Sequence, residues 1–184
     1  MEELHLQAVT DPLTGLNNRR ELWGFLEREL VRARRAGTPV AVVALDLDHF
    51  KRVNDLWGHE AGDLVLKSAA SVVMQNIRGS DIAVRSGGEE IILALSEATA
   101  QIAASRAETI RREFEALKLE CGGRQLDAVT ASFGVAAFPD DAEDADALMR
   151  AADRALYEAK AKGRNQVVMY AAGMDSKERP AAST

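Results

Sequence analysis

Apolar residues recur at helical spacing over 18–36, where Leu22, Phe25, Leu26 and Leu30 share one face, and Gly37-Thr38-Pro39 closes the segment. The pattern then changes. From Val40 to Leu47 the chain is apolar nearly throughout and partly β-branched, which predicts a strand buried on both faces, and polar residues follow at once. Asp46 and Asp48 therefore stand at the strand's carboxyl end. A short helix is predicted near 50–56, before Gly58, and a longer one over 60–76 carrying Ala61, Leu64, Val65, Ala69, Val72 and Val73. Two strand-like runs, 82–86 and 89–95, flank Gly87-Gly88; paired glycines signal a tight hairpin because the favoured turn needs positive φ at its centre. A helix over 99–117, a β segment near 126–137, a helix over 144–160 and a last strand over 166–170 complete the order. Helices alternating with strands, plus one hairpin, predict an α/β fold: a mixed central sheet with flanking helices. No internal repeat is evident.

The ends read differently. Met1, Leu4, His5 and Ala8 fall at helical spacing, so 1–10 is expected to be the end of a connecting helix from an upstream region. Asp11-Pro12 and Thr14-Gly15 form a turn and capping region that opens a domain over 11–170, and the small, polar stretch 171–184 is expected to be a disordered tail.

Composition narrows the class. With 184 residues, 47% hydrophobic and 28% charged, one packed core is the default. No run approaches the roughly 18 apolar residues of a membrane span, and the first residues carry acids where a secretory signal carries positive charge. A cytoplasmic domain without membrane contact is expected. Cys121 is the single cysteine, so no internal disulfide can form and no zinc pattern exists. The net charge of −6 argues against a surface built for nucleic acid, so any phosphate contact must be local. The longest basic cluster, Arg32-Ala33-Arg34-Arg35, closes a predicted helix, where cations complement the macrodipole.

Three constellations carry chemistry. In Asp46-Leu47-Asp48-His49-Phe50-Lys51 a buried strand ends in acids and runs into a helix start; carboxylates there can hold the metal of a nucleotide triphosphate, and helix N–H groups can meet phosphate. At the hairpin, Gly87-Gly88 allows close approach of a ligand, and Glu89 and Glu90, as strand neighbours, would point to opposite faces. In Lys160-Ala161-Lys162-Gly163-Arg164-Asn165 a helix ends in cations that could reach a triphosphate. Each has a plain alternative when taken singly: a helix cap, a solvated acidic hairpin, and macrodipole complementation.

Together they resemble the GGDEF family of diguanylate cyclases. Asp11 to Arg20 resembles the opening D-x-L-T-G-L-x-N-R-R; residues 46–63, DLDHFKRVNDLWGHEAGD, resemble D-x-D-x-F-K-x-x-N-D-x-x-G-H-x-x-G-D; the hairpin is similar to the signature loop; and 152–167 resembles A-D-x-A-L-Y-x-A-K-x-x-G-R-N-x-V. The resemblance covers about 10–170. It implies a nucleotide-cyclase and polymerase-palm-like fold whose hairpin is catalytic, and condensation of two GTP into cyclic di-GMP with release of two pyrophosphates. It implies Mg²⁺, with Mn²⁺ as an alternative, held by Asp46, Glu89 and the carbonyl of Leu47, with Glu89 and Glu90 catalytic. It implies that Asn54 and Asp63 bind guanine, that backbone N–H groups of His49 and Phe50 meet phosphates, and that Lys160 and Arg164 grip the terminal phosphate. A homodimer is implied because two sites must face each other, and an upstream sensory or regulatory domain is expected in the full-length protein.

Arg78-Gly79-Ser80-Asp81 resembles the family's R-x-x-D product-inhibition site, at the family's distance from Gly87; Arg106 and Arg111 are both candidates for its second arginine. The chain departs from the signature at Ile91, usually Phe, and at Ser86, usually aromatic. The alternatives are a catalytically weak module that senses GTP or cyclic di-GMP, and a cyclase of relaxed base choice; intact acids oppose the first and Asp63 the second. Trp57, Phe25, Phe114 and Phe133 read as packing, and His59 as a structural hydrogen-bonding residue.

Overall fold

A computed structural model describes residues 9–174. The expected connecting helix therefore lies almost wholly outside the described residues. The elements are α1 (Arg19–Ala36), β1 (Val40–Leu47), α2 (Phe50–Trp57), α3 (His59–Gln75), β2 (Ile82–Gly87), β3 (Glu90–Ser96), α4 (Ala100–Glu115), β4 (Glu120–Cys121), β5 (Arg124–Gln125), β6 (Ala131–Phe138), α5 (Ala145–Ala161) and β7 (Val167–Met169). Helix α1 begins where the Asn18 side chain accepts from the N–H groups of Arg20 and Glu21, and stops at Gly37 in the left-handed region (φ 68°).

Five strands form one sheet in the order β2-β3-β1-β6-β7, antiparallel except for the parallel β6–β7 pair. The sheet is mixed, as the alternation of elements implies. Strand β1 lies at its centre. Ala41, Val43, Leu45 and Leu47 pack on one face with residues of α3 and α4, while Val40, Val42 and Ala44 pack on the other with residues of α1 and α5. That double burial is why the strand reads as an unbroken apolar run. Helix α5 lies directly on β6: a Cβ added at Gly134 would come within 2.1 Å of the Leu156 nitrogen and 2.2 Å of the Ala152 carbonyl oxygen. Glycine there sets how close α5, with Lys160 in its last turn, comes to the sheet.

Three local expectations need correction. The β segment near 126–137 begins only at Ala131, and a small hairpin, β4–β5, precedes it. Its turn is Gly122-Gly123, both at positive φ (60° and 75°), so the paired-glycine signal was present there too, with strands too short and polar to show periodicity. At the β2–β3 hairpin the register shifts between Arg85 and Gly87, and Gly87 pairs with Glu90. The irregularity at Ser86 moves the turn on by one residue, so Gly88 (φ 46°) and Glu89 form the tip and Glu89 is not a strand residue. Of the expected tail, Ala171–Met174 forms a turn tied to α5 by Arg154, whose Nε donates to the Met174 carbonyl at 2.6 Å; residues 175–184 lie outside the described residues. No helix among the described residues is long and apolar enough to cross a membrane.

Candidate active site

The carboxyl end of β1 gathers the charges. Asp46 stands opposite Glu90 in the β1–β3 register, and the Leu47 N–H donates to the Glu89 carbonyl at 3.3 Å, which fixes the hairpin tip against the strand end. Lys160 Nζ, arriving from α5, lies 3.0 Å from Asp46 Oδ1. Burial pushes the Asp46 carboxyl above its ordinary pKa; Lys160 opposes this, and the charges of Glu89 and Asp48 reinforce it. Glu90 is raised in the same way, by burial first and then by Asp153 and Asp46. Crowded, partly desolvated carboxylates of this kind suit a divalent cation, which would relieve both effects. Among the described residues no three acidic, His or Cys side chains form a ready cage. Mg²⁺ usually takes one or two carboxylates and completes its shell with water and substrate phosphates.

The two acids of the strand end do different work. Asp48 is 4% exposed and accepts from Thr130 Oγ1 and Ser132 Oγ, both at 2.7 Å, and from the Asn165 N–H at 3.0 Å. It binds scaffold. His49 takes a left-handed conformation (φ 53°) and gives α2 no side-chain cap, while its carbonyl accepts from the Arg52 and Val53 N–H groups (2.9 and 3.3 Å). Asn54 lies over α3: a Cβ at Gly62 would meet Asn54 Oδ1 at 1.9 Å, so glycine there lets that side chain rest against the helix; Asp63, the next residue along, is exposed. Arg164, exposed beyond α5, is also left-handed (φ 65°).

One functional residue has no counterpart in the sequence reading. The Arg85 side chain donates from Nε and Nη2 to the Gly88 carbonyl (3.0 and 2.8 Å) and from Nη1 to both Asp11 carboxylate oxygens (3.1 and 3.2 Å). It clamps the hairpin tip to the turn that opens the domain. Burial alone would raise the Asp11 pKa, but donors from Thr14 and then Arg85 outweigh it and hold the carboxyl low. An arginine just before the hairpin and an acid in the opening motif were the available signal; 74 residues of separation concealed the pairing. Ile91 is fully buried, opposite Leu45 on β1 and Arg85 on β2, so the aliphatic replacement is accommodated in the core.

At the far end of β2, the Asp81 side chain is 1% exposed and accepts from the Arg78 N–H (2.8 Å), Arg106 Nη1 (2.7 Å) and the Ser96 N–H (3.1 Å). Arg106 is thus the arginine beside Asp81. Arg111 points elsewhere, to Asn165. Arg78 is exposed. His59 is exposed at the start of α3 and, among the described residues, makes no side-chain hydrogen bond, so the structural bond expected of it is not formed. Trp57 and Phe25 are half-buried, and Phe114 and Phe133 are buried, as packing residues should be.

The family model for the diguanylate cyclase GGDEF domain matches residues 8–166. The chain belongs to the GGDEF family. Among curated relatives, the diguanylate cyclase DosC of Escherichia coli is 40% identical over 164 residues, covering 89% of this chain and 35% of its own length. The chain spans about a third of the length of the curated relatives it matches. The GGDEF-domain fold is likewise that of solved structures. The coiled coil and GGDEF domain of DgcB from Caulobacter crescentus, in complex with c-di-GMP, aligns with a TM-score of 0.85 at 35% identity, covering 91% of this chain and 88% of that one. The active GGEEF domain of a diguanylate cyclase from Vibrio cholerae aligns with a TM-score of 0.77 at 32% identity, covering 84% and 97%. As in that protein's named signature, the GGDEF loop here carries Glu, in Glu89, at the third position.

Proposed function

We propose that this GGDEF domain is a diguanylate cyclase, condensing two GTP into cyclic di-GMP and releasing two pyrophosphates. The convergence of Asp46, the Glu89-Glu90 hairpin and Lys160 at the end of β1 supports this reading most directly. Mg²⁺ or Mn²⁺ would be held by Asp46, Glu89 and the Leu47 carbonyl, and when bound would stabilise charge on the transferring and leaving phosphate oxygens. Asp63, as an anion, accepts from N1–H and the 2-amino group of guanine, while Asn54 completes the base contact; adenine offers neither donor. The uncapped start of α2, at His49 and Phe50, presents N–H groups to the phosphates, and Lys160 and Arg164 meet the terminal phosphate. Glu89 assists removal of the 3′-hydroxyl proton, with Glu90 alongside. The 3′-oxygen of one GTP attacks the α-phosphorus of the other, and pyrophosphate departs with the displaced electron pair.

Each domain holds one nucleotide, and the product needs two reciprocal bonds, so two copies face each other as a two-fold homodimer. An upstream sensory or regulatory region would control that encounter in the full-length protein. The domain works in the cytoplasm, where GTP is available. Arg78, Asp81 and Arg106 form a site for the product that inhibits the enzyme. Because the Asp81 carboxylate already accepts three donors, the two guanidinium groups make the first contacts with ligand.

Incubation with GTP and Mg²⁺ should yield cyclic di-GMP and pyrophosphate in a 1:2 ratio, read by mass. Glu89→Gln keeps the size of the side chain and removes its charge, so the folded variant should give no product above background. Near-normal turnover in that variant would remove Glu89 from the chemistry.

A further inference from the structure

Three consecutive residues after α5 take positive φ: Gly163 (116°), Arg164 (65°) and Asn165 (45°). Glycine and asparagine tolerate this region; arginine does so at a cost, and such a conformation persists only where its surroundings fix it. Asn165 is what they fix. Its N–H donates to Asp48 Oδ2 (3.0 Å), its Oδ1 accepts from Arg111 Nη1 (2.8 Å), and its Nδ2 donates to Glu115 Oε1 (2.8 Å). All three partners lie outside its own loop, on the segment after β1 and on α4. Arg111 is itself held by a two-pronged contact with Glu108 (both 2.8 Å) and by Glu115 (2.8 Å), and its side chain is only 14% exposed. The guanidinium is therefore a fixed post on α4 rather than a mobile surface cation.

We propose that Arg111 is a positioning residue for the triphosphate end of the site, acting through Asn165 to hold Arg164 in its left-handed conformation. Arg111 touches no reacting atom. It fixes the side-chain oxygen of Asn165, Asp48 fixes the same residue's N–H, and the pair leaves Arg164 one conformation from which to present its guanidinium. The inference rests on the reading of Lys160 and Arg164 as contacts of the terminal phosphate. It also gives Arg111 a task separate from the product site, where Arg106 occupies Asp81.

The test compares binding of GTP and GDP, with Mg²⁺, to the full chain and to Arg111→Ala, Arg111→Lys, Asn165→Gly and the Arg111→Ala/Asn165→Gly double variant. Asn165→Gly keeps the left-handed backbone accessible but removes the side-chain anchors. Arg111→Ala should weaken GTP binding about tenfold and leave GDP within about twofold, since only the terminal-phosphate contact is lost. Turnover should show the same split, a raised KM with a smaller change in kcat, and Arg111→Lys should restore only part of the affinity. The double variant should be no worse than the worse single one, because both break the same link. Equal weakening of GTP and GDP, or additive effects, would overturn the proposal by showing a general structural role. Should Arg111→Ala fail to fold, Asn165→Gly carries the same GTP-against-GDP comparison alone. A parent that makes cyclic di-GMP and prefers GTP, with that preference unchanged in both single variants, refutes this inference only. A parent that makes no product and does not distinguish GTP from GDP refutes the functional reading and this inference with it.

Discussion

Asp46, near the end of β1, and Asp48, in the turn just beyond it, are two residues apart, yet they meet opposite environments. Asp48 turns to hydroxyl and amide donors that satisfy it within the fold; Asp46 turns to other acids, with one lysine for relief. The sequence made the pair legible as acids at a strand end but did not separate their roles, because the donors that claim Asp48 come from β6 and the loop after α5, more than 80 residues away. The raised pKa of Asp46 has a measurable sign. A carboxyl that takes up its proton above the ordinary value of 3.8 competes with metal at correspondingly higher pH. The gain in Tm from Mg²⁺ plus GTP should therefore shrink on acidification before ordinary aspartates titrate, while the metal-free fold is favoured as Asp46 becomes protonated. A gain that stays constant down to the ordinary range would show that Asp46 does not bind the metal. Asp63 allows a simpler test. Its loss in Asp63→Ala removes charge-assisted bonds of about 1.5–3 kcal/mol, so GTP binding should weaken by that amount and the preference over ATP should fall. Unchanged discrimination would mean that guanine is read elsewhere.

Among the elements, the hairpin depends most on a distant partner. Arg85 reaches from β2 to the Gly88 carbonyl and to Asp11, so the tip that carries Glu89 is tied to the turn where the chain enters the domain. Arg85→Ala should leave the sheet intact, since its backbone pairing is unaffected, but lower kcat by about tenfold or more through misplacement of Glu89. Asp11→Asn, which keeps the contacts to Gly88, should cost less. Steady-state rates of the two variants, with circular dichroism to confirm folding, check this; equal losses would show that Arg85 acts only through Asp11. Long elements such as α1, β1 and α5 were legible because their burial pattern is local. The displaced hairpin tip was not, since a register irregularity at Ser86 leaves no trace in hydrophobic alternation, and β4–β5 was not, since two-residue strands carry no period. The approach of α5 to β6 was equally hidden, as a lone glycine in a strand reads first as a weakness and only the fold shows what passes over it.

At the scale of the whole molecule, the proposed product site and the proposed active site lie at opposite ends of one strand. Arg78 and Asp81 precede β2, the hairpin tip with Glu89 follows it, and six strand residues span about 20 Å. A product held at Arg78 and Arg106 therefore cannot occupy the GTP pocket of the same domain. Its effect must be indirect. Cyclic di-GMP is two-fold symmetric, so one molecule can meet the arginines of two domains and hold the active sites apart without competing for substrate. Inhibition should be noncompetitive toward GTP. Arg78 is the residue to change, because its side chain is exposed, whereas removing Arg106 would leave the buried Asp81 carboxylate without its ion partner. Arg78→Ala should relieve most of the inhibition and leave the initial rate at low product nearly unchanged. Initial rates against GTP, with and without added cyclic di-GMP, for parent and variant, decide the matter. Purely competitive inhibition in the parent, or equal inhibition of both proteins, would reduce Arg78 and Asp81 to a turn that joins α3 to β2.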